Sequence, residues 1–313
     1  MNIDNPADKT SKTNHWFNLL MIAVFTLIGM FIGNTLGLIV VLPFFGFNFE
    51  VLIIELMSFQ NPQSRLPMLI VQGITAVCAF IVVPVWLLKR YNIGTLKGLF
   101  PYQNGLLFLS LLTVAITICA MFANSPVIEW NKQLNFPDYL GWFESYAAET
   151  EAFLEKATIF LTNFDNPGQF FLAIIVIALV PAIGEELLFR GLIQKELRGI
   201  FENPHVAIWL AALVFSVFHR QFYGLVPRML LGALFGYLYY WSGSLTYASI
   251  AHFVNNGFTL VMLYLHQQGL ISFDIQETES TPLETVVIFL IIGGILTYIF
   301  VRYHQKKPTL LNE

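Results

Sequence analysis

Charge is scarce in this chain. Asp, Glu, Lys and Arg make up only 12% of its 313 residues, about half the share in an ordinary soluble domain. That excludes a solvated globular surface over most of its length. Cysteine is scarcer still. Cys78 and Cys119 are the two present, and both lie in apolar runs, where cysteine acts as a small hydrophobe; neither a disulfide nor a C-x-x-C metal site is read. The sequence has no glycine-rich phosphate loop, no H-E-x-x-H pair of ligands on one helix, and no internal repeat. Period-two alternation is missing as well, which argues against a membrane β-barrel. A net charge of −4 gives no footprint for nucleic acid.

Hydrocarbon is what the chain has in excess. Hydrophobic residues are 56% of it, with 30 phenylalanines, and its mean hydropathy is +0.66. An apolar run of about 18 residues can cross ~30 Å of lipid as a helix. Such runs predict spans near 17–42, 67–88, 105–124, 168–189, 205–224, 226–242, 245–268 and 283–302. Backbone in lipid must satisfy its own hydrogen bonds, so helices are expected. The expected fold is all-α: a polytopic helical membrane protein of about eight transmembrane helices, a single membrane-embedded domain over 1–313. The first run is too long for a signal peptide and is read as a retained span. The fifth and sixth spans are parted only by Gln221–Gly224, with Arg220 and Arg228 intruding.

Basic residues set the expected orientation. With the N-terminus in the cytoplasm, that side holds Lys9, Lys12, Lys89, Arg90, Lys97, Arg190, Lys195, Arg198, Arg302, Lys306 and Lys307, eleven of the 16. Both termini are then cytoplasmic in a plasma (inner) membrane. The acidic stretches 129–165 and 274–284 fall outside. The extracytoplasmic loop 125–167 mixes acids and apolar residues at helical intervals from Tyr146 to Leu161, as would an amphipathic helix on the membrane surface; an ordered loop is the other reading.

Three polar clusters sit where lipid is expected, at a cost of about 3 kcal/mol per ionisable residue. Glu185, Glu186 and Arg190 lie near the end of the fourth span. Glu186 and Arg190 are four apart and share a helix face; Glu185 is turned about 100° from Glu186 and is free for another task. Phe215 and His219 share a face of the fifth span, and His252 and Asn256 a face of the seventh. Such groups can converge in a bundle-core cavity and supply a base for water, a group to orient it, and oxyanion donors. Taken singly, each has a bland reading as a helix-end clasp or interhelical glue. Residue counting puts Glu185 and His252 about 10–15 Å from the cytoplasmic helix ends and His219 nearer 21 Å, an unresolved mismatch.

The three motifs, E-E-x-x-x-R in Glu185–Arg190, F-x-x-x-H in Phe215–His219 and H-x-x-x-N in His252–Asn256, resemble those of the CPBP family. This family comprises CAAX proteases and bacteriocin-processing (Abi) proteins. The resemblance covers 168–268, about a third of the chain. It implies an intramembrane endopeptidase in which Glu185 activates water and His219 holds it. His252 and Asn256 would form the oxyanion pocket, with Glu186, Arg190 and Phe215 supporting. It implies metal-free glutamate chemistry; the alternative is zinc held by Glu185, His219 and His252. A membrane-associated peptide is the expected partner, beside the lipid bilayer; oligomeric state is open. Competing functions are a bacteriocin-immunity or peptide-binding scaffold and a proton-coupled transporter. The last would call for inverted repeats, which the sequence lacks.

Overall fold

The computed structural model describes residues 6–91, 93–272 and 281–305, with side chains from Asn14 onward. Among the described residues every element is helical. In chain order they are α1 (Pro6–Val41), α2 (Phe49–Ser58), α3 (Pro62–Arg90), α4 (Leu96–Leu99), α5 (Leu106–Lys132) and α6 (Gly141–Thr162). Then come α7 (Pro167–Phe201), α8 (Pro204–Phe218), α9 (Leu225–Ser242), α10 (Leu245–Gln267) and α11 (Leu283–Gln305). Six of these, α1 (counted from Asn14), α3, α5, α7, α10 and α11, are long and apolar enough to cross a membrane. Their apolar side chains face outward as well as inward: Phe31, Leu27 and Ile295 are all exposed. The chain is an all-helical polytopic membrane protein.

All eight expected runs are helical, but the fifth and sixth fall short of that measure. Helix α8 has 15 residues, or about 22 Å, and stops at Phe218 because Arg220 turns into the left-handed region at φ 59°. The polar turn 219–224 then leads into α9, where Arg228 lowers the hydropathy. Helix α2, not expected from the sequence, starts at Asn48, whose side chain accepts from Val51 N. Of the orientation residues, the side chains of Lys9 and Lys12, together with Lys306 and Lys307, lie outside the described residues, as does most of 274–284.

Small residues decide how closely the helices pack. Gly29, Gly33 and Gly37 form one stripe on α1; a Cβ on Gly33 would stand 2.8 Å from the Thr75 Cα, and one on Gly37 2.9 Å from the Val71 Cα. Backbone thus meets backbone along α1 and α3, the small-x-x-x-small mode of membrane packing. Gly184 does the same between α7 and α3, where a Cβ would come within 2.8 Å of Phe80 Cβ. The site residue Glu185 is therefore held level with Phe80, about 15 Å from Arg90 and 22 Å from Arg65 along α3.

Two long helices widen where proline breaks their bonding. Helix α3 opens into π-type turns at Val77–Val82, just before Pro84, and α7 does so at Ile174–Leu179, just before Pro181. Proline has no N–H and its ring crowds the carbonyl four residues back, so a wider turn relieves both. A third wide turn, Leu187–Gln194, carries Arg190 and contains no proline; such turns recur at functional sites.

The fourth span runs twelve residues beyond its expected end, and this removes the depth mismatch between Glu185 and His219. Glu196 is buried and bonded to His15 Nδ1 at 2.7 Å and Asn18 Nδ2 at 3.1 Å, so the polar tail stays helical to Phe201. There Asn203 caps α8 by accepting from His205 N, with Pro204 in its first turn. Glu185 lies about 24 Å above Phe201 and His219 about 22 Å above Pro204. Helix α8 begins below the level counted from Lys195, and the two side chains come level.

Candidate active site

Four helices bring the chemistry to one place, and α7 supplies both carboxylates. Glu186 and Arg190 are fully buried, and Arg190 Nη1 donates to Glu186 Oε1 at 2.7 Å. Arg190 Nη2 reaches across to the Gly232 carbonyl of α9 at 2.8 Å, and Gln194 Nε2 to the Gly236 carbonyl at 3.3 Å. Both glycines are needed for close approach: a Cβ on Gly232 would lie 3.2 Å from Arg190 Nη2, and one on Gly236 2.7 Å from Gln194 Oε1. The guanidinium is also stacked on aromatic rings, 4.7 Å from the Phe215 centroid and 5.4 Å from that of Phe235.

Both histidines are oriented from behind. His219 Nδ1 lies 2.9 Å from the Phe215 carbonyl, and His252 Nδ1 lies 2.8 Å from Glu186 Oε1. A carbonyl or carboxylate oxygen only accepts, so each Nδ1 carries the proton. Each Nε2 is then turned to the front. There Glu185 Oε2 stands 3.8 Å from His219 Nε2 and 3.9 Å from His252 Nε2, without a hydrogen-bond partner in the protein. Phe215 wedges between the rings, edge-on to His219 at 4.8 Å and to His252 at 5.8 Å, while Phe235 stacks on His252 at 5.3 Å.

Asn256 faces a different group. Its Nδ2 donates to the Ile177 carbonyl at 3.1 Å, and its Oδ1 accepts from Asn255 at 3.0 Å. In a regular helix the Ile177 carbonyl would accept from residue 181, but Pro181 has no N–H to give. The asparagine bonds that carbonyl from α10 and so ties α10 to α7. Of the residues singled out in the sequence, Glu185, His219 and His252 meet at one point, Glu186, Arg190 and Phe215 stand behind them, and Asn256 lies a turn further along α10, engaged with backbone. Phe235, Gly232 and the Ile177 carbonyl carried no readable signal.

The donor set suits zinc, but its spacing does not. Two ligand atoms on a tetrahedral zinc with bonds of about 2.0–2.1 Å stand roughly 3.4 Å apart, closer than the 3.8 and 3.9 Å found. Among the described residues no three His, Cys, Asp or Glu side chains gather closely enough to hold a metal. A water between Glu185 Oε2 and an Nε2, at about 2.8 Å from each, fits the wider spacing.

Residues 167–258, which carry all three motifs, match the family described as type II CAAX prenyl endopeptidase Rce1-like. The likeness covers that segment, under a third of the chain, and is to a CAAX-type endopeptidase family, as the motifs implied. Over 145 residues the chain is 24% identical to the uncharacterized protein YpbD of Bacillus subtilis (strain 168), covering 45% of this chain and 61% of that one. The chain thus spans less than two thirds of that relative's length. No solved structure matches it.

Proposed function

We propose that this protein is an intramembrane endopeptidase that hydrolyses a peptide bond with a water activated by Glu185. The observation that carries this is the convergence of two rear-oriented imidazoles on one carboxylate oxygen that has no other protein partner. Glu185 takes a proton from the water, whose oxygen attacks the peptide carbonyl. His219, its Nε2 facing Glu185, holds that water. His252 is paired through Nδ1 with the Glu186 carboxylate, which fixes its ring with Nε2 toward Glu185. There it faces the oxyanion side of the scissile carbonyl. The C–N bond then breaks as the proton on Glu185 passes to the leaving nitrogen, giving a carboxylate and an amine. Asn256 supports the oxyanion side through its place on α10.

The substrate is a membrane-associated peptide, and the Rce1-like match favours a CAAX-type one over a role in bacteriocin immunity. With the termini in the cytoplasm of a plasma membrane, the site lies within the membrane, level with Phe80 of α3. The chemistry needs no metal. Purified protein treated with excess chelator should cut a membrane peptide at its untreated rate and contain no stoichiometric zinc. One zinc per chain, lost together with activity in His219→Ala, would replace the glutamate base with metal-bound water.

A further inference from the structure

Arg228 is a charge that the hydrolytic machinery above does not use. It stands in the first turn of α9, where a guanidinium without a counter-ion is costly. Its Nη2 donates to Gln221 Oε1 at 2.6 Å, and its Nη1 is buried with no hydrogen-bond partner. Among the described residues no carboxylate forms an ion pair with it. Glu151 of α6 is joined to it through Gln221, whose Nε2 donates to Glu151 Oε1 at 3.3 Å. Burial holds the Glu151 carboxyl above its ordinary value, which weakens that counter-charge.

The position of this arginine points to substrate. Gln221 is two residues past His219, and Arg228 lies within electrostatic reach of both Glu185 and His219. It touches neither, so a group that it held would stand displaced from the scissile bond. Gly224 leaves room for it: a Cβ there would stand 3.2 Å from Nη2 and 3.4 Å from Nη1. A guanidinium is a planar fork whose parallel N–H donors match a carboxylate. We propose that Arg228 anchors a carboxylate of the bound peptide, either its C-terminus or an acidic side chain near the cleaved bond.

This rests on the peptidase reading of the site, but binding alone tests it. The measurement is the affinity of Glu185→Gln protein for three fluorescent peptides of one sequence. One ends in a free carboxylate, one in an amide, and one in an amide beside an added glutamate. A charged hydrogen-bonded contact is worth enough to make at least one carboxylate peptide about tenfold tighter than the neutral amide. Which one is tighter identifies the group. The preference should vanish when Arg228→Gln is added and persist in part with Arg228→Lys. Equal affinity for all three peptides, or a preference that survives Arg228→Gln, overturns the proposal. The first comparison needs no change at Arg228, so poor folding of a variant does not blunt it. The preference in Glu185→Gln protein, together with wild-type protein that cuts none of the peptides, would contradict the peptidase reading and leave the anchor standing.

Discussion

Glu186 holds two partners on a single oxygen, Arg190 Nη1 and His252 Nδ1, and this separates its role from that of its neighbour. Glu185→Gln removes the base and should reduce cleavage to background. Glu186→Gln leaves the base but loosens the imidazole behind it, and should lower activity in part, by about 10–100-fold, the loss found when a partner that orients a metal-bound histidine is removed. Equal, complete loss in both variants at normal yield would contradict the division. Arg190→Ala should act on stability instead: it leaves a fully buried carboxylate with half its support, at a cost of about 3–5 kcal/mol. A thermal melt in detergent at the wild-type temperature would refute that. The i, i+4 spacing made the Glu186–Arg190 pair legible in sequence. The bond from Glu186 to His252 was not, because 66 residues separate them and nothing in either motif fixes the ring's rotation.

At the level of helices, Pro181, the Ile177 carbonyl and Asn256 form one unit. Asn256→Ala should cost about 1–3 kcal/mol by removing the bond it gives that carbonyl. Pro181→Ala restores an N–H at position 181, so in that background Asn256→Ala should cost less. Stability of the two single variants and the double variant gives the coupling directly; strictly additive losses would show that the asparagine does not serve the carbonyl. The sequence pointed to Asn256 as a polar residue in a span, but it could not say that the Ile177 carbonyl of another helix would be its partner. The Gly29–Gly33–Gly37 stripe was there to be read from its spacing of four. Helix boundaries were less legible. Helix α7 outran its apolar run because His15 and Asn18, far away in sequence, hold Glu196.

Over the whole molecule, the sequence carried the class of fold and the segment that holds the site, since both depend on composition and short spacings. The levels of the helices needed tertiary contacts, such as Gly184 against Phe80, and Leu245 Cδ1 within 3.4 Å of a Cβ on Gly191. The orientation inferred from basic residues predicts that a single cysteine placed at Asn135, in the segment between α5 and α6, reacts with an impermeant thiol reagent from outside intact cells, while one at Pro101 does not. The reverse pattern would invert the topology. The central claim is that Glu185 is the base of a peptide hydrolase. Single-turnover cleavage of a membrane peptide, by wild-type and Glu185→Gln proteins of equal thermal stability, tests it most directly. The account predicts defined cleavage by the wild type and none above background by the variant; a well-folded Glu185→Gln protein that cuts at the wild-type rate would contradict it.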